Sequence, residues 1–267
     1  MTAPGGVGLY SIGVRGMEVP QLLEWAAEQG VPFVHLRGGP RGFDLARQTP
    51  DVLAHWRRAA QQWVPVTGVT ADLDLTDLFA LAAPERARAR AELERLAAAA
   101  DALGAGWVRL LGRTVPKGPL LKAMLGSRLP QARLPLLVEL HHPGWLAPET
   151  LGALEEMLGR WPQLRLLADT TQLAAARPAA NGDADAALER VLHFTRVLHL
   201  SDDGTGLDAA GRNLVAARAR RRIADGQHME VAVEWTGQPR TPQACLSRYR
   251  DACREWPQRV GPPPCRP

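Results

Sequence analysis

The chain has 267 residues, of which 46% are hydrophobic and 22% charged, with a formal net charge of +4. These proportions are typical of a folded globular protein that is large enough to bury a sizeable core. No run of about 18 apolar residues indicates a membrane span, and the first residues lack the basic start and apolar segment of a secretion signal. The composition therefore predicts a cytoplasmic protein with no membrane partner.

Short apolar runs alternate with helical patterns along the chain. The predicted strands cover residues 8–14, 31–36, 64–69, 107–111, 136–140, 164–168, 197–200 and 230–233. The predicted helices cover residues 18–29, 50–63, 84–103, 120–125, 148–160, 183–195, 211–224 and 241–255. Each strand–helix unit takes about 30 residues, and this order of elements predicts an α/β protein.

Eight such units in one chain predict a (β/α)8 TIM barrel that forms a single domain over residues 1–260. A doubly wound open sheet has the same alternation of strands and helices, but no Gly-x-Gly-x-x-Gly segment follows the first predicted strand. Polar residues also close many different strands, which favours a barrel over a sheet with one switch point. The Pro-rich segment 261–267 is predicted to be a disordered tail.

Ionisable residues stand at the ends of four successive predicted strands, at intervals of 30, 30 and 35 residues. They are Glu139, Asp169, His199 and Glu234. Because the carboxyl ends of all barrel strands meet at one rim, these four side chains are expected to converge. Three neighbouring carboxylates need a neutralising charge, and oxygen ligands with one imidazole suit Mn2+, Mg2+, Co2+ or Fe2+, with Zn2+ also allowed. The pattern predicts one divalent metal ion, although each residue alone could equally have a structural role.

The segments around these residues resemble those of the xylose isomerase-like TIM barrel superfamily, which includes sugar epimerases, a dehydratase and an endonuclease. Glu139 opens a Glu-x-His segment, and Asp169 opens a segment similar to the superfamily's Asp-Thr-x-His. His199 opens a His-x-x-Asp segment, and Glu234 ends the last strand. The resemblance covers all eight predicted strands, and its specific motifs lie in the C-terminal half.

This resemblance implies an isomerase or epimerase that acts on a sugar or another polyhydroxy carbonyl compound. The implied mechanism is proton abstraction through a metal-stabilised enediolate. Glu139 and Glu234 would be the catalytic pair, one removing a proton and the other returning it. The candidates for binding substrate hydroxyl groups are His141, Gln172, Arg109 and His35. For His141 and Arg109, support of a metal ligand is an equally open interpretation.

The chain departs from the superfamily pattern at three places. Gln172 stands where a histidine is usual, and an amide cannot shuttle a proton near neutral pH. Asp203-Gly204-Thr205-Gly206 follows strand seven where epimerases place an arginine, and His35 stands where strand two often ends in a glutamate. Two alternatives therefore stay open. One is a metal-dependent dehydratase, hydrolase or biosynthetic tailoring enzyme on a non-sugar substrate, and the other is a catalytically silent barrel that acts as a binding protein.

A small-molecule substrate is the expected partner, and a homodimer formed through the barrel helices is an open option. The basic cluster at residues 218–222 lies on a predicted helix, where helically spaced charge is typical of a solvated face. The endonuclease of the superfamily carries a His-rich trinuclear zinc cluster, for which this chain lacks the ligands. The sequence therefore argues against a nucleic-acid partner, and salt-sensitive binding of DNA phosphates by the basic cluster stays an open alternative.

Overall fold

The computed structural model describes residues 6–180 and 182–258, which alternate between strands and helices. The strands are β1 (Val7–Tyr10), β2 (Val34–Arg37), β3 (Val66–Asp74), β4 (Val108–Gly112), β5 (Leu136–Leu140), β6 (Leu164–Asp169), β7 (Thr195–Asp202) and β8 (Glu230–Trp235). The helices are α1 (Val19–Glu28), α2 (Pro50–Gln62), α3 (Ala83–Leu103), α4 (Gly118–Gly126), α5 (Pro148–Arg160), α6 (Thr170–Ala176), α7 (Ala184–Phe194), α8 (Arg212–Ala224) and α9 (Pro242–Gln258). The tail predicted at 261–267 lies outside the described residues.

The eight strands form a closed parallel barrel in sequence order, from β1 to β8. The barrel closes where β8 pairs with β1, with Val231 opposite Val7 and Val233 opposite Leu9. A parallel pair needs a crossover of a dozen or more residues, which the helices between the strands supply. The predicted (β/α)8 architecture is confirmed.

The helices surround the barrel and turn their apolar faces towards it. In α2, Pro50 occupies the first turn and the Thr49 hydroxyl accepts a hydrogen bond from the Val52 amide at 3.4 Å. Leu53 and Trp56 of this helix are buried, and burial of one such side chain contributes about 1.5–3 kcal/mol. Among the described helices, none combines the length and apolar character needed to cross a membrane.

Several local features differ from the prediction. Strand β1 ends at Tyr10 rather than at residue 14, and strand β3 continues to Asp74 rather than ending at residue 69. Helix α6 is absent from the prediction, and it begins directly after β6 with Asp169 as its N-cap. The Asp169 carboxylate accepts a hydrogen bond from the Gln172 amide at 2.8 Å. At seven residues, α6 is too short to show a helical period in the sequence.

The barrel interior is built in layers, with an apolar layer beneath a polar one. The apolar layer consists of Trp107, which directly precedes β4, and of one residue from each of β5, β6 and β7, namely Leu137, Leu167 and Val197. Alternate residues of a strand face the same side, so the residue two positions further along each strand points into the barrel one layer closer to its carboxyl end. These residues are Arg109, Glu139, Asp169 and His199, and all four are buried. On β4 to β7 the ionisable side chains therefore lie directly above an apolar layer.

The basic cluster on α8 is partly neutralised by acidic residues on the neighbouring helix. Arg218 lies 3.0 Å from Asp185 of α7, and Arg222 lies 2.9 Å from Glu189 of the same helix. Arg220 of the same cluster is buried, and its guanidinium lies 4.9 Å from the centroid of the Trp256 ring, so only part of the cluster is a solvated helix face as predicted.

Candidate metal centre

Three of the four predicted metal ligands converge at the carboxyl end of the barrel. Asp169, His199 and Glu234 each offer one ligand atom, and these atoms all lie within 4.8 Å of one another. Strand register explains their proximity, because Asp169 pairs with His199 across β6 and β7, while Glu234 pairs with Ser201 across β7 and β8. All three residues are at most 8% exposed.

Burial and mutual repulsion disfavour ionisation of the two carboxyl groups in this trio. Burial, together with the charges of Glu234 and Glu139, raises the pKa of Asp169 to about 7. Burial and the charge of Glu139 also raise the pKa of Glu234. A divalent cation between the ligand atoms would remove this repulsion and allow both groups to ionise. With two carboxylates, one imidazole and no thiolate, the trio fits the cations that the sequence indicates.

Glu139 lies beside this trio but is engaged differently. Its Oε2 atom lies 3.0 Å from Nε of Arg109 and 3.2 Å from Nε2 of His141. Burial opposes ionisation of Glu139, but the positive charges of Arg109 and His141 outweigh it and lower its pKa. Glu139 is not among the three residues whose ligand atoms lie within 4.8 Å of one another. The structure thus places it next to the candidate metal ligands as an ionised group in contact with Arg109 and His141.

Arg109 is held in place by three strands. Its Nη1 donates a hydrogen bond to the Ala71 carbonyl of β3 at 2.9 Å, and its Nη2 lies 3.5 Å from the Tyr10 hydroxyl of β1. Its third contact is the ion pair with Glu139 of β5. Arg109 is buried, whereas the side chain of His141 is 27% exposed. Of these two predicted substrate-binding residues, His141 has the surface to contact a ligand, and Arg109 acts on Glu139.

His35 lies beneath His199, on the side away from Glu234. Its Nδ1 is 3.0 Å from Nε2 of His199, and its Nε2 is 3.1 Å from a carboxylate oxygen of Glu230. The same oxygen accepts hydrogen bonds from Thr67 and Trp107 at 2.9 and 3.3 Å. His35 is 0% exposed, and both of its ring nitrogens contact protein groups. The structure therefore places this predicted substrate-binding residue behind a candidate metal ligand, His199.

The contacts along this chain of residues determine which nitrogens carry protons. Burial lowers the pKa values of His35 and His199 to about 4, so both rings are neutral at pH 7. Burial opposes ionisation of Glu230, but its hydrogen bonds lower its pKa, so it can only accept. Nε2 of His35 must then donate to Glu230, and Nε2 of His199 must donate to Nδ1 of His35. The lone pair of His199 Nδ1 is left facing Glu234 Oε2, 2.8 Å away, where the two atoms can share a proton or a cation.

Gln172, the remaining predicted substrate-binding residue, lies in the first turn of α6. Its backbone amide donates to Asp169, and its side chain is half-buried. This contact ties one carboxylate oxygen of Asp169 to the start of the helix.

Tyr10 and Glu230 belong to the site but were not predicted from the sequence. The Tyr10 ring stacks on His199 with centroids 4.9 Å apart, and its hydroxyl lies 2.7 Å from Thr70 Oγ1. Burial raises the pKa of Tyr10 to about 12, so it acts as a neutral wall of the site. An aromatic residue on a buried strand is usually part of the core, so Tyr10 gave no signal. Glu230 could have been recognised, because it is a carboxylate at the start of a predicted strand, 230–233, that is otherwise apolar.

Comparisons with known proteins show similarity at the level of the fold. No protein-family profile and no curated protein sequence matches the chain. A xylose isomerase domain protein from Planctomyces limnophilus is 16% identical with a TM-score of 0.69, covering 96% of this chain and 98% of its own. D-Psicose 3-epimerase from Clostridium cellulolyticum H10, in a structure with D-tagatose, is 12% identical with a TM-score of 0.64, covering 94% and 92%. The IOLI protein with a bound zinc atom is 12% identical with a TM-score of 0.69, covering 96% and 100%. The chain has the fold of the xylose isomerase-like TIM barrels.

Proposed function

We propose that the protein is a divalent-metal-dependent isomerase or epimerase that acts on a sugar or another polyhydroxy carbonyl compound. The observation that carries this proposal is the convergence of Asp169, His199 and Glu234 on a point at the carboxyl end of the barrel. Active sites of TIM barrels form at this end. Support comes from the shared fold with a D-psicose 3-epimerase and with the zinc-containing IOLI protein.

The residues that would hold the ion are Asp169, His199 and Glu234, with Glu139 at the edge of the group. When bound, the ion supplies Lewis acidity, which polarises a carbonyl oxygen and acidifies the neighbouring C–H bond. The protein's part is to present two carboxylates and the Nδ1 lone pair of His199 in fixed positions. The stacked Tyr10 ring and the contact of Nε2 with His35 keep the imidazole of His199 from rotating.

Glu139 and Glu234 are placed to move the proton. They stand on β5 and β8, which are separated by β6 and β7 in the ring of strands, so they face each other across the mouth. Glu139 is kept ionised by Arg109 and His141 and can accept the proton from the substrate carbon. Among the described residues, its contacts all involve Oε2, and Oε1 is left for the substrate. Glu234, on the other side of the substrate position, would return the proton.

His141 and Gln172 are the candidates for orienting substrate hydroxyl groups, since both side chains are partly exposed. His141 also contacts Glu139, so a substrate bound to it would lie close to the proposed base. Arg109 is a positioning residue in this proposal, because its guanidinium contacts Glu139 and buried groups of β1 and β3.

The test is a screen of ketoses and aldoses with the metal-loaded protein in D2O, followed by proton NMR. Proton abstraction replaces the carbon-bound hydrogen with deuterium, even when little product accumulates. We expect wild type and the matched control Glu156→Gln, which alters an exposed ion pair on α5, to exchange this hydrogen. Asp169→Asn should lose the metal and the exchange. Glu139→Gln should retain the metal but exchange this hydrogen at least about a hundredfold more slowly than wild type.

Exchange in Glu139→Gln at the wild-type rate would contradict the role of Glu139 as the base. Loss of water from the substrate without exchange or isomerisation would replace the isomerase by the dehydratase alternative. A metal-loaded protein that exchanges no hydrogen in any carbonyl compound of the screen would overturn the proposal.

A further inference from the structure

Arg37 stands at the mouth of the barrel, above His35. It is the last residue of β2 and lies two positions after His35, whose ring is in the barrel interior. Because alternate residues of a strand face the same side, Arg37 belongs to the interior face, one layer closer to the rim. Its backbone amide donates a hydrogen bond to the Ser11 hydroxyl at 2.8 Å, which fixes it against the segment after β1.

Arg15 and Arg240 lie on the two neighbouring loops. Arg240 follows β8, and its Nη2 donates to the Thr236 carbonyl at 2.9 Å, two residues beyond Glu234. The backbone carbonyl of Arg240 accepts a hydrogen bond from the Arg15 amide at 3.1 Å, which joins the loop after β8 to the loop after β1. Since β8, β1 and β2 are neighbours in the ring, the three arginines occupy one side of the mouth. We call Arg15, Arg37 and Arg240 the arginine cluster.

No side chain of the arginine cluster forms an ion pair with a carboxylate of the described residues, although the charge of Asp72 acts on Arg37 and that of Glu234 acts on Arg240. In the part of the chain that the structure describes, the side chains of Arg15 and Arg37 make no hydrogen bond or ion pair. The Nε atom of Arg240 is buried without a hydrogen-bond partner. Burial lowers the pKa of Arg240, and the positive charges of Arg15 and Arg37 lower it further, so the three groups repel one another.

Other arginines near the same end of the barrel are paired with carboxylates. Arg41 contacts Asp72, Arg109 contacts Glu139, and Arg212 contacts Asp203. Each of these three arginines has a carboxylate partner, which no arginine of the cluster has, although the Nε atoms of Arg109 and Arg212 also lack a hydrogen bond. The arginine cluster is instead open to solvent on one side, because Arg15 is exposed and both Arg37 and Arg240 are half-buried.

We infer that the arginine cluster binds an oxyanion group of the substrate, a carboxylate or a phosphate at the end of the molecule remote from the reacting carbon. Guanidinium groups bind both oxyanions through paired, charge-assisted hydrogen bonds. Arg240 also lies close enough to Glu234 and Tyr10 for their charges to affect it, so an anion at the cluster would place the rest of the substrate over the candidate metal centre. The expected substrate is therefore an anionic polyhydroxy carbonyl compound, such as a keto sugar acid or a sugar phosphate. This inference rests on the proposed function.

The experiment is isothermal titration calorimetry of the metal-loaded protein with D-fructose, D-fructose 6-phosphate and 2-keto-D-gluconate. These probes share a ketose chain and differ in charge, and the two anions distinguish a phosphate subsite from a carboxylate subsite. We expect at least one anion to bind about tenfold or more tightly than D-fructose, with an advantage that shrinks as salt is added. Arg37→Gln and Arg240→Gln should each weaken the anion about ten- to a hundredfold and leave D-fructose binding unchanged.

Arg190→Gln is the matched control, since it removes the same charge from α7 and breaks an exposed pair with Glu155. It should bind all three probes as wild type does. Circular dichroism checks that the variants fold, and Arg37→Lys provides a second test, because it keeps the charge but loses the paired hydrogen bonds. We expect Arg37→Lys to bind the anion more weakly than wild type and more tightly than Arg37→Gln.

Binding of neither anion more tightly than D-fructose would overturn the inference, as would anion binding that is equal in wild type and in the folded Arg37 and Arg240 variants. Failure of the proposed function is measured separately, as a lack of bound metal in the wild-type protein. Titration of the anions into Asp169→Asn distinguishes failure of this inference from failure of the proposed function. Anion binding that depends on the arginine cluster should persist in that metal-deficient variant.

Discussion

Nδ1 of His35 lies 3.0 Å from Nε2 of His199, deep in the barrel and out of contact with solvent. His35 in turn contacts Glu230, so a carboxylate and two imidazoles form a line that ends at Glu234. Partners of this kind fix the tautomer and orientation of a ligand histidine, and their loss typically costs about ten- to a hundredfold in metal affinity.

We therefore expect His35→Gln to bind a divalent ion about ten- to a hundredfold more weakly than wild type. The measurement is competition with a metal-sensitive dye. Nitrogen NMR of the histidine side chains provides a second readout, since His199 should lose its single Nε2–H tautomer. His193→Gln, which changes an exposed histidine on α7, is the control. Unchanged affinity together with an unchanged His199 tautomer would refute the positioning role of His35.

The raised pKa of Asp169 predicts how the stability of the chelator-treated protein depends on pH. The pKa of this group is about 7 in the folded chain and near 3.8 when unperturbed. Its stabilising contribution is therefore complete below about pH 3.8, falls as the pH rises above that value, and is fully lost once the pH has risen through about 7. Glu234, whose pKa is also raised, acts in the same direction. The lowered pKa values of His35 and His199 act below about pH 6.5. Burial opposes the protonation of His141, but its contact with Glu139 raises its pKa, so in the window from about pH 6.5 to 8.5 His141 acts in the same direction as the two carboxyl groups.

In that window we expect the free energy of unfolding of the metal-free protein to fall by a few kcal/mol at most as the pH rises, on the order of 1 kcal/mol per pKa unit and group. Urea denaturation at several pH values measures it. Asp169→Asn should flatten the curve, and added metal should restore stability at the alkaline end. A stability that increases from pH 6.5 to 8.5 in the presence of chelator would contradict the assignment.

The buried ion pair of Arg109 and Glu139 leads to a prediction about the stability of the fold. Both side chains are buried, so Arg109→Met leaves an unpaired carboxylate in the barrel and should destabilise the protein by about 3–5 kcal/mol. The double variant Arg109→Met/Glu139→Gln should lose less than the sum of the single variants, because no charge is left unpaired. The exposed pair of Arg160 and Glu156 on α5 serves as the comparison, with a coupling of at most about 1 kcal/mol. Additive effects of the Arg109 and Glu139 substitutions would show that the buried pair is not coupled.

Bound metal should also stabilise the fold. A ligand that binds only the folded state, at about 100 times its dissociation constant, contributes about 2.7 kcal/mol. Thermal denaturation should therefore show a lower midpoint after chelation in wild type and no effect of chelation in Asp169→Asn. A wild-type midpoint that chelation leaves unchanged is the behaviour of a catalytically silent barrel.

The fold and the convergence of Asp169, His199 and Glu234 could be predicted because both depend on local patterns. The interval of about 30 residues between strand ends is a property of the strand–helix unit, and parallel closure brings the ends of β6, β7 and β8 together. The position of Glu139 was harder to foresee. The sequence shows a carboxylate at the end of β5, but its contact with Arg109 depends on the packing of β4 against β5.

His35 illustrates how strand boundaries limit such predictions. With a strand predicted over residues 31–36, His35 is near the rim and is expected to reach the substrate. The strand in fact runs to Arg37, which places His35 one interior layer lower, against His199. Which residue of an alternating pair reaches the rim depends on a boundary that patterns locate only to within a few residues.

The central claim, that Asp169, His199 and Glu234 hold a divalent ion, is tested most directly by the metal content of the purified protein. Inductively coupled plasma mass spectrometry would be applied to wild type, Asp169→Asn, Glu234→Gln and the control Glu156→Gln after incubation with Mn2+, Mg2+, Co2+, Fe2+ or Zn2+. We predict about one ion per chain in wild type and in the control, and a strong loss of metal in the other two variants. A wild-type chain that stays metal-free with every ion, or metal that remains at the wild-type level in Asp169→Asn and Glu234→Gln, would contradict it.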